Sequence, residues 1–336
     1  MARNILLKDG KIINIEKKGI KRKILRFVKK TTNFDKIRKW VLRKRYKLYM
    51  PALNVEFTSC CNLRCRMCIT AHGFPPERRG FMDLNFFKRL VDLIYDDNNV
   101  CIEYFGLWLG GELLLHPKFT EFLFYLGEKR KETKKKVPYV RMLTNATLLQ
   151  GKKMHSIIDS QAVDEVFFSV DCGKKEDFEY MRTGAKWDEI LGNINQFIEL
   201  NNAQKKRIIT GIHSIIRLDE GNYDKEFLNL IKKIDFFHPR MAHNWNGHRE
   251  LELGRYEDNN ISRNTGLCGG VQVGFCVTWD GLAVPCCGDL MAQCVIGDLN
   301  KENLYDIYYG DKRKQLISAL KNNRRDMIEL CKNCAS

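Results

Sequence analysis

The chain has 336 residues, of which 44% are hydrophobic, and its 57 Lys and Arg against 41 Asp and Glu give a formal net charge of +16. This composition allows a sizeable buried core, in a main domain of about 190 residues with smaller appendages. No apolar stretch is long enough to span a membrane, and the N-terminus lacks the apolar region of a signal peptide. Thirteen cysteines, an odd number, argue against a secreted disulfide scaffold.

Nearly all of the net charge lies in residues 1–50, a basic N-terminal extension with 18 Lys and Arg but 3 Asp and Glu. Ile5–Leu7 and Ile12–Ile15 flank a two-residue hairpin signal, and Ile20–Met50 is predicted to form a basic amphipathic helix. Such helices suit anionic membrane surfaces or anionic ligands, so the extension predicts peripheral contact with an anionic membrane. A helix that simply packs on the rest of the protein explains the pattern equally well. Nucleic acid is not expected, because the remaining residues have no basic surplus.

Cys61, Cys65 and Cys68 have the spacing Cys-x3-Cys-x2-Cys. Three thiolates on a short loop can ligate three irons of a four-iron cluster, and the fourth iron stays open for another ligand. Cys60 does not fit, because the first gap counted from it would be too long. A zinc knuckle or a redox pair is the alternative, although zinc sites usually combine paired Cys or His ligands and no histidine follows at ligand spacing.

Strand patterns alternate with helical patterns along the rest of the chain. Strands are predicted at Leu53–Thr58, Glu103–Leu109, Tyr139–Thr144, Glu165–Val170, Arg207–Ile216 and Asp235–Met241. Helices are predicted at Asn85–Tyr95, Lys118–Lys131, Trp187–Leu200 and Lys225–Ile234. This alternation predicts an α/β fold with a parallel sheet built by right-handed crossovers, whose functional residues lie at the carboxyl ends of the strands.

Several strands end in glycine or in a polar residue. These residues are Gly110, Gly111, Glu112, Asn145 and Ser169, with Arg182 shortly after the fourth strand. Paired glycines at a strand end allow a ligand to approach the backbone closely. Each polar residue alone could cap a turn or carry a solvated charge, but their placement at successive strand ends favours one common site.

A second cysteine set lies in the C-terminal third: Cys268, Cys286, Cys331 and Cys334. Cys287 adjoins Cys286, and Cys276 and Cys294 lie nearby, so spacing alone does not decide between Cys286 and Cys287 as the ligand. A zinc ribbon with the same thiolates is the alternative to an iron–sulfur site.

Together, these motifs resemble those of the radical S-adenosylmethionine (SAM) superfamily, and the C-terminal set resembles its shortened SPASM, or twitch, module. The resemblance runs from Val55 to Cys334, by motifs and spacing, and the cysteine intervals are similar to those of a dehydrogenase subgroup. It implies an open, partial (β/α)6 barrel over residues 51–245 and a small cysteine-rich SPASM/twitch-like module over residues 246–336. Because the chain ends soon after Cys334, we expect a single auxiliary cluster.

The resemblance also implies cofactors and contacts. Cys61, Cys65 and Cys68 would hold a [4Fe-4S] cluster that binds SAM, and the C-terminal set would hold an auxiliary [4Fe-4S] cluster. Met67 would pack on the adenine, Gly110–Glu112 would bind the SAM amino group, and Asn145 would lie near the ribose. Ser169 and Arg182 would bind the SAM carboxylate.

The chemistry implied is reductive SAM cleavage to a 5′-deoxyadenosyl radical that abstracts hydrogen from a C–H bond. The dehydrogenase-like spacing favours oxidation of a secondary alcohol in a sugar, cyclitol or glycan precursor, with the auxiliary cluster as electron acceptor. His243, Asn246 and Arg249 follow the last strand and are candidates for substrate contact or proton transfer.

Two other functions remain open. A peptide-modifying maturase that forms thioether or carbon–carbon crosslinks, or formylglycine, is the main alternative, although residues 1–50 look too short and too basic for a peptide-docking domain. A non-catalytic electron-transfer protein is disfavoured because the SAM motifs are intact. The expected partners are an external flavodoxin- or ferredoxin-type donor and a small-molecule or glycan substrate, anionic substrates included. Oxygen-labile clusters predict a reducing cytoplasm, and the basic extension adds peripheral contact with the inner membrane face.

Overall fold

The structure is a computed structural model that describes residues 4–6, 12–14, 32–71, 74–215, 223–240, 246 and 266–334. The strands are β1 Asn4–Leu6, β2 Ile12–Asn14, β3 Leu48–Val55, β4 Val100–Leu107, β5 Tyr139–Thr144, β6 Glu165–Ser169, β7 Ile209–Ile215, β8 Phe236–Arg240, β9 Cys276–Val277, β10 Leu282–Val284 and β11 Gly297–Asp298. The α-helices are α1 Thr32–Arg45, α2 Leu84–Asp96, α3 Phe119–Glu132, α4 Gly151–Asp159, α5 Lys175–Met181, α6 Trp187–Asn202, α7 Lys225–Lys233, α8 Gly269–Val273, α9 Leu304–Tyr309 and α10 Asp311–Lys321. Short 3₁₀ turns lie at Ile69–Ala71, Pro76–Arg78, Leu113–Leu115 and Arg325–Met327.

A single large sheet organises the protein, with the strand order β11-β10-β9-β3-β4-β5-β6-β7-β8. Strands β3 to β8 pair in parallel in chain order, and the sheet does not close between β8 and β11. Because the carboxyl ends of parallel strands share one edge of a sheet, the loops that follow them converge there. The predicted partial (β/α)6 barrel is confirmed.

Helices cover the outer face of this sheet and form the main core with it. Asp83 accepts a hydrogen bond from the Phe86 backbone N–H and starts α2, whose apolar face is buried. Phe57, just after β3, packs edge-on against Phe87 of α2, with 5.2 Å between ring centroids. On the other side of the barrel, Phe168 of β6 packs against α6. These contacts show which strand residues face the helices, and the alternate residues face the barrel lumen.

The C-terminal segment extends the barrel sheet. β9 pairs in parallel with β3, and β10 and β11 continue the sheet as antiparallel strands. A smaller core of Val271, Leu316, Leu320, Leu330 and Cys331 lies beyond them. Trp279, between β9 and β10, lies flat over Gly80, where even one added methyl group would overlap its ring. The Trp279 indole N–H donates to the Arg78 carbonyl at 3.0 Å, which joins this segment to the barrel.

The N-terminal extension differs in part from its prediction. β1 and β2 pair antiparallel at the predicted place, while the turn between them and residues 15–31 lie outside the described residues. Helix α1 ends at Arg45, so the prediction of a helix that continues to Met50 is wrong. Leu48–Met50 is fully buried and pairs with β4, because hydrogen bonding to a neighbouring strand outweighs the local helical pattern. In the described part of the chain, no helix is both long and apolar enough to cross a membrane.

Candidate active site

The loop after β3 carries Cys61, Cys65 and Cys68. Two backbone hydrogen bonds attach it to the end of α5: the Arg64 N–H donates to the Thr183 carbonyl at 2.9 Å, and the Arg66 N–H donates to the Met181 carbonyl at 2.8 Å. Burial raises the pKa of the Cys61 thiol to about 11 and that of Cys65 to about 12. Iron binds the thiolate form, so ligation would offset the cost of ionising these thiols in a buried place.

The Gly-Gly-Glu segment after β4 lies against this cysteine loop. The Gly111 N–H donates to the Thr58 carbonyl at 3.0 Å, and the Glu112 N–H donates to the Cys60 carbonyl at 2.9 Å. A methyl group on Gly111 would overlap both of these carbonyl oxygens, so only glycine allows this approach. The predicted contact segment and the cysteine loop are therefore in direct contact.

Glu112 connects the Gly-Gly-Glu segment to the next strand end. Its carboxylate is buried and accepts hydrogen bonds from the Thr144 hydroxyl and the Asn145 N–H, both at 2.7 Å. The Asn145 amide nitrogen lies 3.9 Å from the Cys61 sulfur. The Glu112 side chain thus fixes the end of β5, while its backbone N–H is bonded to the cysteine loop.

Arg182 lies on the opposite side of the cysteine loop. Its Nε donates to the Asp171 carboxylate at 2.7 Å, and its Nη1 lies 4.0 Å from the Cys65 sulfur. Asp171 also accepts the Ile215 N–H at 2.6 Å, which fixes the carboxylate to β7. Ser169 is buried at the end of β6 and is in register with His213, and Met67 is buried in the main core. The structure therefore brings Asn145 and Arg182 to the cysteine loop, whereas Asp171 holds the Arg182 guanidinium.

The C-terminal cysteines also come together. Cys268 begins α8, and a methyl group on Gly270 would lie 3.5 Å from both the Cys268 sulfur and the Cys286 Cβ. Cys268, Cys286, Cys294 and Cys331 all contact the smaller core. Burial raises the pKa of Cys331 to about 12, and the neighbouring Cys334 and Cys268 add to the effect. Cys287 also interacts electrostatically with Cys268 and Cys334, so it belongs to the same neighbourhood.

No group of three or more His, Cys, Asp or Glu side chains is arranged to hold a single metal ion in the described ranges. His243 and Arg249 lie outside those ranges. Asn246 is described: it is buried, has a φ of 63° and donates its side-chain amide to the Gly288 carbonyl at 2.9 Å. Its described contact is thus with the turn that follows Cys287.

Glu56 is a residue of this region that the sequence analysis did not select. It follows β3, is fully buried, and accepts the Trp279 N–H at 3.2 Å through Oε2. Its Oε1 makes no full hydrogen bond within the described part of the chain and lies against Gly110. Burial raises the pKa of Glu56 to about 7. The sequence does contain a signal for this residue: Glu56 is a charged residue between Val55 and Phe57 in an otherwise apolar strand pattern.

Comparison with known proteins agrees with this geometry. Residues 55–233 match the radical SAM superfamily, and residues 268–335 match SPASM, an iron-sulfur cluster-binding domain. The chain is a member of the radical SAM superfamily. These matches imply SAM binding and [4Fe-4S] clusters, and members of the superfamily use SAM as the source of a 5′-deoxyadenosyl radical.

Two curated relatives match this radical SAM protein over part of its length. A tungsten-containing aldehyde ferredoxin oxidoreductase cofactor-modifying protein of Pyrococcus furiosus is 33% identical over 36% of this chain. The antilisterial bacteriocin subtilosin biosynthesis protein AlbA of Bacillus subtilis is 31% identical over 30% of this chain. The matched segments span 31% and 19% of those two proteins.

Solved structures share the fold over most of this radical SAM protein. BtrN in complex with AdoMet and 2-DOIA has a TM-score of 0.58 at 19% identity, over 85% of this chain and 93% of BtrN. Streptococcus suis SuiB bound to precursor peptide SuiA has a TM-score of 0.54 at 15% identity, over 85% of this chain and 71% of SuiB. At these identities the likeness shows the fold.

The residues of this radical SAM protein fit the cofactors that its family implies. Three thiols lie on one loop and would hold three irons of a four-iron cluster, which would leave the fourth iron open for SAM. Beside them, Gly111 has no side chain, so the backbone of the Gly-Gly-Glu segment reaches the cysteine loop directly.

Proposed function

We propose that this radical SAM protein is an oxidoreductase that oxidises a secondary alcohol of a sugar, cyclitol or glycan precursor. The supporting observation is that the C-terminal segment joins the barrel sheet through β9 and β3. β3 leads into the loop of Cys61 and β10 leads into Cys286, so one cysteine of each set follows a strand of the same sheet. A second iron–sulfur cluster beside the barrel would provide an acceptor for the electron that alcohol oxidation releases.

The proposed ligands of the SAM-binding cluster are Cys61, Cys65 and Cys68. Those of the auxiliary cluster are Cys268, Cys286, Cys331 and Cys334. Cys65, Cys331 and Cys334 are buried and the other four thiols are partly buried, so bound clusters would be shielded from much of the solvent.

For SAM, the proposed contacts are the Gly110–Glu112 backbone, Met67, Asn145, Ser169 and Arg182. Arg182 is held by Asp171, so its remaining N–H donors have a fixed direction toward the cysteine loop. This would orient a carboxylate with little loss of side-chain entropy. His243 and Arg249 remain proposed substrate contacts, and for Asn246 we propose that it shapes the Cys287–Gly288 turn at the edge of the substrate space.

SAM cleavage tests the core of this proposal. Anaerobically reconstituted, reduced protein should release 5′-deoxyadenosine, and Cys61→Ala, Cys65→Ala or Cys68→Ala should each abolish the release. Cys60→Ala is the matched control, because Cys60 contributes its backbone carbonyl to Glu112 and should retain cleavage. Cleavage that persists in any of the three ligand variants would contradict the ligand assignment.

A peptide-modifying maturase is the second candidate, and the specific observation in its favour is the likeness to AlbA and to SuiB bound to a precursor peptide. The two proposals differ in substrate. Turnover of a peptide encoded beside this protein's gene would favour the maturase, whereas turnover of a sugar or cyclitol would favour the dehydrogenase.

We also propose two partners and a location. An external flavodoxin- or ferredoxin-type donor would reduce the first cluster, in a reducing cytoplasm where oxygen-labile clusters persist. Helix α1 would dock on an anionic lipid surface, because Ile37, Trp40 and Val41 are exposed on one face, 59%, 61% and 47% respectively. The Lys44 ammonium lies 6.0 Å from the Trp40 ring centroid, so cationic and apolar groups share this face. On the other side of α1, Arg38 pairs with Glu103 of β4.

A further inference from the structure

Basic residues meet on the lumen face of the second half of the barrel. Phe168 and Phe237 point outward, with ring centroids 5.6 Å from Phe197 of α6 and 5.8 Å from Phe227 of α7. The residues that alternate with them therefore face inward. His238 and Arg240 on β8 are two of these inward-facing residues. Arg141 on β5 and His213 on β7 are in register with inward-facing residues of β6 and therefore face inward as well. We call these four residues the basic lumen group.

Arg141, His213 and His238 are connected through ring contacts, and Arg240 acts on His213 through its charge. The Arg141 guanidinium lies 5.1 Å from the Phe167 ring centroid, and the Phe167 and His213 rings are 4.2 Å apart. The His213 and His238 rings stack with 5.3 Å between centroids. Burial, followed by the charges of Arg240, His238 and Arg141, lowers the pKa of His213 to about 2, so His213 is neutral and can donate or accept a hydrogen bond.

The two arginines of the group differ in their partners. Arg141 forms a 2.7 Å ion pair with Glu165 of β6, so a carboxylate balances its charge. No carboxylate pairs with Arg240 among the residues that the structure describes. Cys287 and Arg141 act on it electrostatically, as it acts on His213. Arg240 and Cys287 are both exposed. Among the described residues, Arg240 thus carries a positive charge that no carboxylate balances, at the carboxyl end of β8.

Strand register places this charge between the two cofactor regions. His213 is in register with Ser169 on one side and with His238 on the other. Arg240 lies one inward position further along β8, at its carboxyl end, and its charge acts electrostatically on Cys287, the neighbour of Cys286. A molecule that reached both the SAM-binding residues and the auxiliary cysteines would pass this position.

We propose that Arg240, supported by His213 and His238, is a binding subsite for an oxyanion group of the substrate, either a carboxylate or a phosphate. This rests on the proposed function and names a substrate class for the same site. A guanidinium binds either oxyanion through two parallel hydrogen bonds, and neutral imidazoles behind it can add further donors. The anion would also balance the charge that the described carboxylates leave uncompensated.

The subsite can be tested without knowing the substrate. Isothermal titration calorimetry on reconstituted, SAM-loaded protein would use inorganic phosphate in one arm and acetate in the other, with chloride at equal ionic strength as reference. We expect saturable binding of one oxyanion to the wild-type protein. Arg240→Gln should bind that anion with an affinity lower by about tenfold or more, because loss of a charge-assisted hydrogen bond predicts a decrease of this size. Arg240→Lys should bind with intermediate affinity. Arg89→Gln, on the exposed face of α2, is the matched control and should bind as the wild type does.

Each outcome decides the proposal. Binding of phosphate alone would support a phosphorylated substrate, and binding of acetate alone would support one that carries a carboxylate. The subsite would be overturned if neither anion showed saturable binding. It would also be overturned if wild type and Arg240→Gln bound the anion with equal affinity while their iron content and circular dichroism were the same. SAM cleavage by the wild-type protein requires no anion and reports separately on the radical SAM activity, while turnover of a sugar or cyclitol tests the proposed function itself.

Discussion

Replacing Glu56 with glutamine should stabilise the protein above neutral pH. The Glu56 carboxylate is fully buried, its Oε1 makes no full hydrogen bond within the described residues, and burial raises its pKa from 4.5 to about 7. In the unfolded chain the carboxyl ionises near pH 4.5, whereas in the folded protein it retains its proton up to about pH 7. The folding penalty is therefore absent below pH 4.5, grows as the pH rises between the two values, and is complete above about pH 7.

The size of the penalty follows from the same two values. Each pH unit between them contributes about 1.4 kcal/mol, so ionised Glu56 costs about 3 kcal/mol of folding free energy at pH 8. Glutamine keeps an oxygen that can accept the Trp279 N–H but carries no charge. In a protein of this size, about 3 kcal/mol corresponds to a rise of roughly 4 °C in the unfolding midpoint.

Anaerobic thermal unfolding followed by circular dichroism would measure the effect at pH 8 and pH 5. Glu56→Gln should unfold several degrees above the wild type at pH 8 and close to it at pH 5. Glu199→Gln, on the exposed surface of α6, is the matched control and should leave the midpoint unchanged at both pH values. An equal midpoint difference at both pH values, or a less stable variant at pH 8, would refute the reasoning.

Three further outcomes are expected. Replacing both Cys331 and Cys334 with alanine should remove about half of the bound iron and abolish product formation while SAM cleavage continues; unchanged iron content would contradict an auxiliary cluster at this pair. Gly111→Ala should strongly reduce SAM cleavage, because its methyl group overlaps the Thr58 and Cys60 carbonyls, and cleavage at the wild-type rate would show that the loop tolerates displacement. Trp40→Ala should weaken salt-sensitive sedimentation with anionic liposomes, relative to neutral ones, and leave SAM cleavage intact, whereas equal sedimentation would reject docking through α1.

The barrel could be predicted from the sequence because its signals are local. Tyr139–Thr144 has the predicted bounds, and Glu112 and Asn145, which follow successive strands, do lie at the cysteine loop. The start of β3 could not be predicted in this way. Leu48–Met50 follows a run of basic residues that reads as helix, and only pairing with Val100–Ile102 of β4 makes it a strand.

The basic lumen group could not be predicted from local patterns either. His213 and His238 lie far apart along the chain and are individually ordinary strand residues. They stack because β7 and β8 pair in one particular register, in which each histidine faces inward. A shift of one residue would turn one of them toward the helices, so their contact depends on a tertiary alignment that no short segment encodes.

The pairing of β9 with β3 has a consequence for the synthesis of this chain. Until Cys276 and Val277 emerge from the ribosome, the outer edge of β3 at Asn54 and Val55 has no partner strand, although the rest of the barrel is already complete. An uncovered apolar edge is a template for pairing with another chain. Chains that stop before β9, or that fail to fold their last segment, should therefore aggregate rather than persist as soluble half-proteins.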